Sequence, residues 1–175
     1  MVKQKVGDRI SIWRFVLTYL VLMGIFFLLM GFAPLQKYFD INNLYSKSIV
    51  FITHVALSLM KTQSSYHGTI INLPGISLDV MFGCNGLEAV MIYSIAVIAF
   101  PAKWKKRLIG IIGGFLVIQI INLIRIVFLA YSGVHFKALF KVLHIYVAQG
   151  IMIAVALGIF LIYLNYAGRG KEEAV

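Results

Sequence analysis

Charge is what this sequence lacks. Only 13% of its 175 residues are Asp, Glu, Lys or Arg, and just six are acidic; soluble proteins carry about 25% charged residues. So little polar surface cannot cover a small domain, which excludes a water-soluble globule. The 61% of hydrophobic residues exclude a disordered chain. Cysteine is nearly missing too. Cys84 stands alone, so there is no intrachain disulfide and no Cys-x-x-Cys metal site. The four histidines show no His-Glu-x-x-His spacing. Nothing in the sequence calls for a metal or a cofactor, and no internal repeat or low-complexity segment is evident. One domain is expected at this length, and with a mean hydropathy of +0.93 its main solvent is lipid.

The net charge of +10 comes from 16 Lys and Arg. Their placement speaks against nucleic acid. Lys3, Lys5, Arg9 and Arg14 precede one apolar run. Lys103, Lys105, Lys106 and Arg107 separate two others, and Arg169 and Lys171 follow the last. Basic blocks flanking apolar segments anchor membrane spans on the cytoplasmic side and attract anionic lipid headgroups. No nucleic-acid-binding motif accompanies them.

The pattern predicts an all-α integral membrane protein with about four transmembrane helices, forming a single membrane domain over residues 1–175. The spans are 15–33, 86–100, 108–131 and 142–166, each long enough or nearly so to cross the hydrocarbon core. The first is read as a retained anchor rather than a signal peptide, because its apolar run is long. A cytoplasmic 103–107 block puts both chain ends in the cytoplasm of a multi-pass cell-membrane protein. Residues 41–60 carry a polar stripe of Asn43, Lys47, His54, Ser58 and Lys61, with Leu44, Phe51, Ile52, Val55 and Leu59 opposite. That predicts an outer interfacial helix, with an extra span as the alternative. Residues 62–82 predict a small extracytoplasmic β-hairpin around the type II turn signature Asn72-Leu73-Pro74-Gly75. The hairpin packs on the outer helix ends or receives a peptide along its edge.

Several polar residues sit where lipid makes them costly. Arg125 lies inside the 108–131 span, where an ionised group costs at least about 2.5–3.5 kcal/mol near the centre. Gln119, Asn122 and Arg125, three residues apart, share one helix face that must point into the bundle. Glu88 in the neighbouring span is a candidate ion-pair partner for Arg125. Cys84 lies at the outer mouth of the 86–100 segment, in Gly83-Cys84-Asn85-Gly86. A helix N-terminus and a nearby Arg125 would both stabilise its thiolate. His144 opens the last span on the same outer side. A thiolate, an imidazole and a fixed cation are what cysteine acyl transfer needs: nucleophile, proton carrier and oxyanion partner.

The stretches Cys84-Asn85-Gly86, Asn122-Leu123-Ile124-Arg125-Ile126 and Leu143-His144-Ile145-Tyr146-Val147-Ala148-Gln149-Gly150 resemble the exosortase/archaeosortase family, over roughly Leu78 to Tyr166. The resemblance implies a membrane-embedded cysteine protease–transpeptidase. Such an enzyme cleaves the C-terminal sorting tail of exported proteins (a short motif, a membrane span and a basic cluster). It then passes them through a thioester to a lipid or envelope acceptor. It further implies catalytic Cys84, Arg125 and His144, supported by Asn122, Glu88, Asn85 and Gly86, at an active site facing the extracytoplasmic side. The chain is shorter than many members. It has Ile145 where many have an acidic residue after the histidine, so Glu88 or Gln149 is left to orient the imidazole. His135, in the outer loop, is the rival base. Two other readings stand beside this one. A small transporter or channel subunit would line a polar path with Glu88, Gln119, Asn122 and Arg125 and would tolerate Cys84→Ala. A non-catalytic assembly factor would use the same residues only to pair helices.

Overall fold

A computed structural model describes residues 6–31, 41–81, 83–135 and 148–168. Its elements, in order, are α1 (Val6–Gly31), α2 (Ile41–Leu59), β1 (Ser65–His67), β2 (Ile70–Leu73), β3 (Ile76–Asp79), α3 (Leu87–Ala99), α4 (Trp104–His135) and α5 (Ala148–Gly168). His144 and the start of the expected 142–166 span lie outside the described residues.

Three described helices contain stretches long and apolar enough to cross a membrane: Ile12–Leu29 in α1, Trp104–Val134 in α4 and Gln149–Gly168 in α5. The segment read as a span at 86–100 is not one of them. Its helix, α3, has 13 residues. At 1.5 Å per residue it is about 20 Å long, against a hydrocarbon core of about 30 Å. Its length is set at both ends. Gly86, in the left-handed region at φ 81°, starts it, and Phe100, extended ahead of Pro101, stops it. What hydropathy recorded as lipid contact is contact with protein. Eight of its residues are buried, and α1, α4 and α5 all pack against it.

The α3–α4 pair is an antiparallel hairpin whose contacts run in step. The Arg107 Nε donates to the Phe100 carbonyl at 3.2 Å, and the Tyr93 hydroxyl to the Gly110 carbonyl at 2.8 Å. Further along, Gly86 meets Asn122 and Cys84 meets Arg125. Small residues on α4 permit this closeness. A Cβ on Gly114 would collide with the Tyr93 ring. Val90, Tyr93 and Val97 of α3, Ile118 of α4, and Met152 and Tyr163 of α5 form one core. At the basic-loop end, Lys106 Nζ donates to the Tyr166 and Ala167 carbonyls at 3.1 and 3.3 Å. It thereby closes the C-terminus of α5 with a cation, as the helix dipole favours.

A second core lies at the other end of α4. Ile126 and Ala130 pack there with Val50 and Leu57 of α2 and with Ile71, Leu73 and Val80 from the sheet region. The expected hairpin is a three-stranded antiparallel meander in the order β1-β2-β3. Pro74 and Gly75 form the turn that the sequence marked, with Leu73 opposite Ile76 and Gly75 at φ 83°. The segment expected as one flank, 66–71, folds back on itself instead. Gly68, at φ 61°, turns the chain so that His67 pairs with Ile70.

The buried face of α2 is neither the polar stripe nor the apolar face read from sequence; Lys47, Ser58 and Lys61 of the stripe are exposed. Its buried residues are Ser46, Val50, Thr53 and Leu57, whereas Leu44, Phe51, Ile52, Val55 and Leu59 are exposed. The two hydroxyls fit the inside because they are small and satisfied. Thr53 Oγ1 donates to the Ile49 carbonyl at 2.8 Å, and Ser46 Oγ accepts from Asn85 at 2.9 Å. An outward apolar face suits a helix whose outer neighbour is lipid.

The Tyr93–Gly114 contact makes a prediction about this bundle. Gly114→Ala overpacks the hairpin and lowers the unfolding temperature in detergent, at a cost of about 1–3 kcal/mol. In a Tyr93→Ala background, itself less stable, the same substitution costs less, because the ring it collides with is gone. A Gly114→Ala protein that unfolds at the wild-type temperature contradicts the packing described.

Candidate active site

The turn carrying Cys84 is shaped by two glycines. Gly83 and Gly86 have φ of 88° and 81°, values that a side chain disfavours. Between them the amides of Cys84 and Asn85 both donate to the Met81 carbonyl, at 2.9 and 3.0 Å. Gly86 is constrained a second way. A Cβ there would lie 2.8 Å from Asn122 Nδ2, so the turn can rest on α4 only with glycine at this position.

Asn85 is fully buried and ties three elements together. Its Oδ1 accepts from the Leu87 amide at 3.0 Å, capping the start of α3. Its Nδ2 donates to Asn42 Oδ1 at 2.8 Å and to Ser46 Oγ at 2.9 Å, both on α2. The reading from sequence had Asn85 only as a supporting neighbour of Cys84 and missed Asn42 and Ser46. The spacing of Ser46, Val50, Thr53 and Leu57, by four, three and four, is the helical signal that marked that face.

Arg125 reaches the turn from α4. Its Nη2 donates to Cys84 Sγ at 3.2 Å across 41 residues of sequence. The guanidinium is only 8% exposed, and its Nε has no partner. Among the described residues no ion pair joins it to Glu88, the partner expected for it. The two side chains do line one cavity. The polar face expected on α4 does point inward: the amide atoms of Gln119 and Asn122 are buried, and those of Asn122 have no hydrogen-bond partner among the described residues. Buried polar groups left unpaired cost stability, which marks a place held for something other than stability.

Two opposing effects act on the Cys84 thiol, and the reading from sequence weighed only one of them. Burial pushes the Cys84 thiol up; the Arg125 charge and hydrogen bond pull it down by less, and Asp79 adds to the rise. Desolvation of the anion outweighs one nearby cation. Nucleophilic chemistry at such a sulfur calls for a base. His144 lies outside the described residues. His135 ends α4, ten residues past Arg125, or about 15 Å further along the axis. His54 is engaged elsewhere, with Nδ1 2.9 Å from Ser64 Oγ. Among the described residues no cluster of three or more His, Cys, Asp or Glu could hold a metal.

Each partner of the sulfur–guanidinium contact lines a different cavity. One, of about 330 Å³, runs between α1, α3 and α5; Arg125, Glu88 and Gln149 line it together with apolar residues such as Phe15, Met152 and Phe160. The other, of about 140 Å³, lies between β3 and α4 and includes Cys84. A nucleophile with a hydrogen-bonded cation at the junction of an apolar groove and a strand-lined cleft suits acyl transfer on an extended peptide with an apolar continuation.

A family model described as transmembrane exosortase (Exosortase_EpsH) matches residues 11–164. No curated protein and no solved structure gives a significant match.

Titration of the sulfur is directly testable. The raised pKa means that iodoacetamide labels Cys84 more slowly at pH 7 than it labels glutathione, with the rate climbing as pH rises. Arg125→Gln removes the charge that favours the thiolate, so its labelling curve moves further to high pH. Fast labelling at pH 7, or a curve unmoved by Arg125→Gln, contradicts the geometry.

Proposed function

The chain belongs to the transmembrane exosortase family, and from that premise we propose that it is a membrane-embedded cysteine transpeptidase whose reacting groups are Cys84, Arg125 and His144. The observation carrying this reading is the 3.2 Å contact from Arg125 Nη2 to Cys84 Sγ. The two residues come from separate elements, and the buried cation has no carboxylate to neutralise it among the described residues.

The chemistry runs as acyl transfer. His144 takes the Cys84 proton, which the raised thiol pKa makes necessary. The thiolate adds to the carbonyl carbon before the tail's membrane span, and the carbonyl oxygen becomes an oxyanion stabilised by the Arg125 guanidinium. The imidazolium returns its proton to the leaving amine as the C–N bond breaks. An acceptor amine or water, deprotonated by His144, then attacks the thioester and releases the sulfur. Asn85 is a positioning residue for the turn, and Asn122 supports it from α4.

Topology supports the same reading. With the 103–107 block at the cytoplasmic face, Cys84 sits about 20–25 Å across the bilayer, counting α3 and its leading turn at 1.5 Å per residue. On this proposal the sulfur lies in the outer leaflet, a few ångströms below the external surface of a core about 30 Å thick. The substrates are exported proteins with C-terminal motif–span–basic tails. The acceptor is a lipid or envelope group.

The test uses a reporter protein fused to such a tail from the source proteome and co-expressed with this chain. Cys84→Ala and His144→Ala abolish its processing. Wild-type protein accumulates a reporter adduct that hydroxylamine releases. Processing that survives Cys84→Ala overturns the mechanism, and loss with His135→Ala but not with His144→Ala reassigns the base.

A further inference from the structure

The sheet has one edge beside the nucleophile, and the register says what that edge offers. In the β2–β3 ladder, Leu73 pairs with Ile76 across the two-residue turn, Ile71 with Leu78 and Ile70 with Asp79. Hydrogen-bonded pairs alternate along an antiparallel ladder. The tight turn makes 73/76 a bonded pair, so 71/78 is bonded as well. The Val80 amide donating to the Thr69 carbonyl at 2.9 Å continues the series. Ser77 and Asp79 therefore fall at the non-bonded positions, and their N–H and C=O groups point away from β2. No described strand pairs with that side of β3.

What lies on that side is a cleft of about 140 Å³, walled by Leu78 and Val80 of the strand region and by Ile126 and Leu129 of α4, with Cys84 in its lining. The chain passes from Asp79 to Cys84 in five residues, so the open edge leads directly to the sulfur. A helix about 10 Å across cannot enter a space of this size, whereas a single extended chain with one modest apolar side chain turned inward can. The opposite edge of the sheet, β1, is exposed along its whole length and lies next to α2, away from Cys84.

We propose that the free edge of β3 is the peptide subsite: the segment preceding the scissile bond binds as a fourth strand, bonded to the main chain of Ser77 and Asp79, with an apolar side chain in the cleft between β3 and α4. This rests on the proposed function for the kind of peptide bound, and on Cys84 as the attacking group for the direction in which it points. Strand addition draws affinity from main-chain hydrogen bonds and selectivity from alternate side-chain pockets. The cleft then accepts small or medium apolar side chains and rejects bulky ones. It also holds the chain extended, as attack on one carbonyl requires. The bundle cavity on the other side of Arg125 remains for the apolar continuation of the same tail.

Disulfide mapping tests the proposal without using catalysis. Full-length protein carrying Cys84→Ala and Ser77→Cys is co-expressed with the tailed reporter. The reporter bears single cysteines scanned through the eight residues before its span. Crosslinks at every second reporter position support strand addition. A three-to-four-residue period, no crosslinks, or equal crosslinking to Tyr66→Cys on β1 overturns it. Because Cys84 is absent, the result stands whether or not Cys84 proves to be the nucleophile. A second variant reads the main chain. Ser77→Pro removes one outward N–H, a change that an edge strand tolerates. It raises the half-saturating reporter concentration about tenfold, the value of one hydrogen bond, while turnover at saturation is kept. An unchanged half-saturation in a protein with wild-type unfolding temperature counts against the subsite.

Discussion

A guanidinium and a sulfur, held 3.2 Å apart, organise this molecule. Arg125 has been carried inward on α4 and given one hydrogen bond to Cys84, with its Nε unpartnered. A buried cation so poorly compensated costs stability. The surroundings hold it in place. Asn85 fixes the sulfur's turn to α2 and α3, glycines let that turn sit against Asn122, and the α3–α4 hairpin keeps the two in step over its whole length. On the proposed acyl-transfer reading, the arrangement holds a charge where negative charge would develop in the reaction, the usual source of electrostatic catalysis.

The same contact explains why α3 is short. A helix of full span length would carry its N-terminal turn to the bilayer surface, into water. At 13 residues it stops early, and Cys84 lies where the bundle meets the sheet and α2. The cap is built from what the bundle cannot supply: a three-stranded sheet and an amphipathic helix that share a core with the far end of α4. Burial at that junction also raises the thiol pKa.

Much of this was legible in the residues. Gly83-Cys84-Asn85-Gly86 announced a sharp turn into a helix, and Arg125 inside an apolar run demanded a partner. The three-residue spacing of Gln119, Asn122 and Arg125 placed them on an inward face. The rest was hidden for physical reasons. Hydropathy does not separate burial in protein from burial in lipid, so α3 read as a span. In α2 the most apolar residues face outward and Ser46 and Thr53 face inward, the reverse of the rule for water. Gly68 broke a β-rich segment into two strands without any proline or Asn-Gly signal. The net pKa of Cys84 depends on desolvation, which no spacing encodes.

The central claim is that Arg125 stabilises the charge formed when Cys84 attacks. The most direct measurement is the single-turnover rate of thioester formation on Cys84 in an Arg125→Gln protein, with the tailed reporter saturating and the unfolding temperature checked against wild type. Removing one oxyanion partner costs about 10²–10³ in rate. The account predicts a loss of at least that size with reporter binding preserved. A folded Arg125→Gln protein that acylates within about threefold of the wild-type rate, far short of that loss, would contradict it.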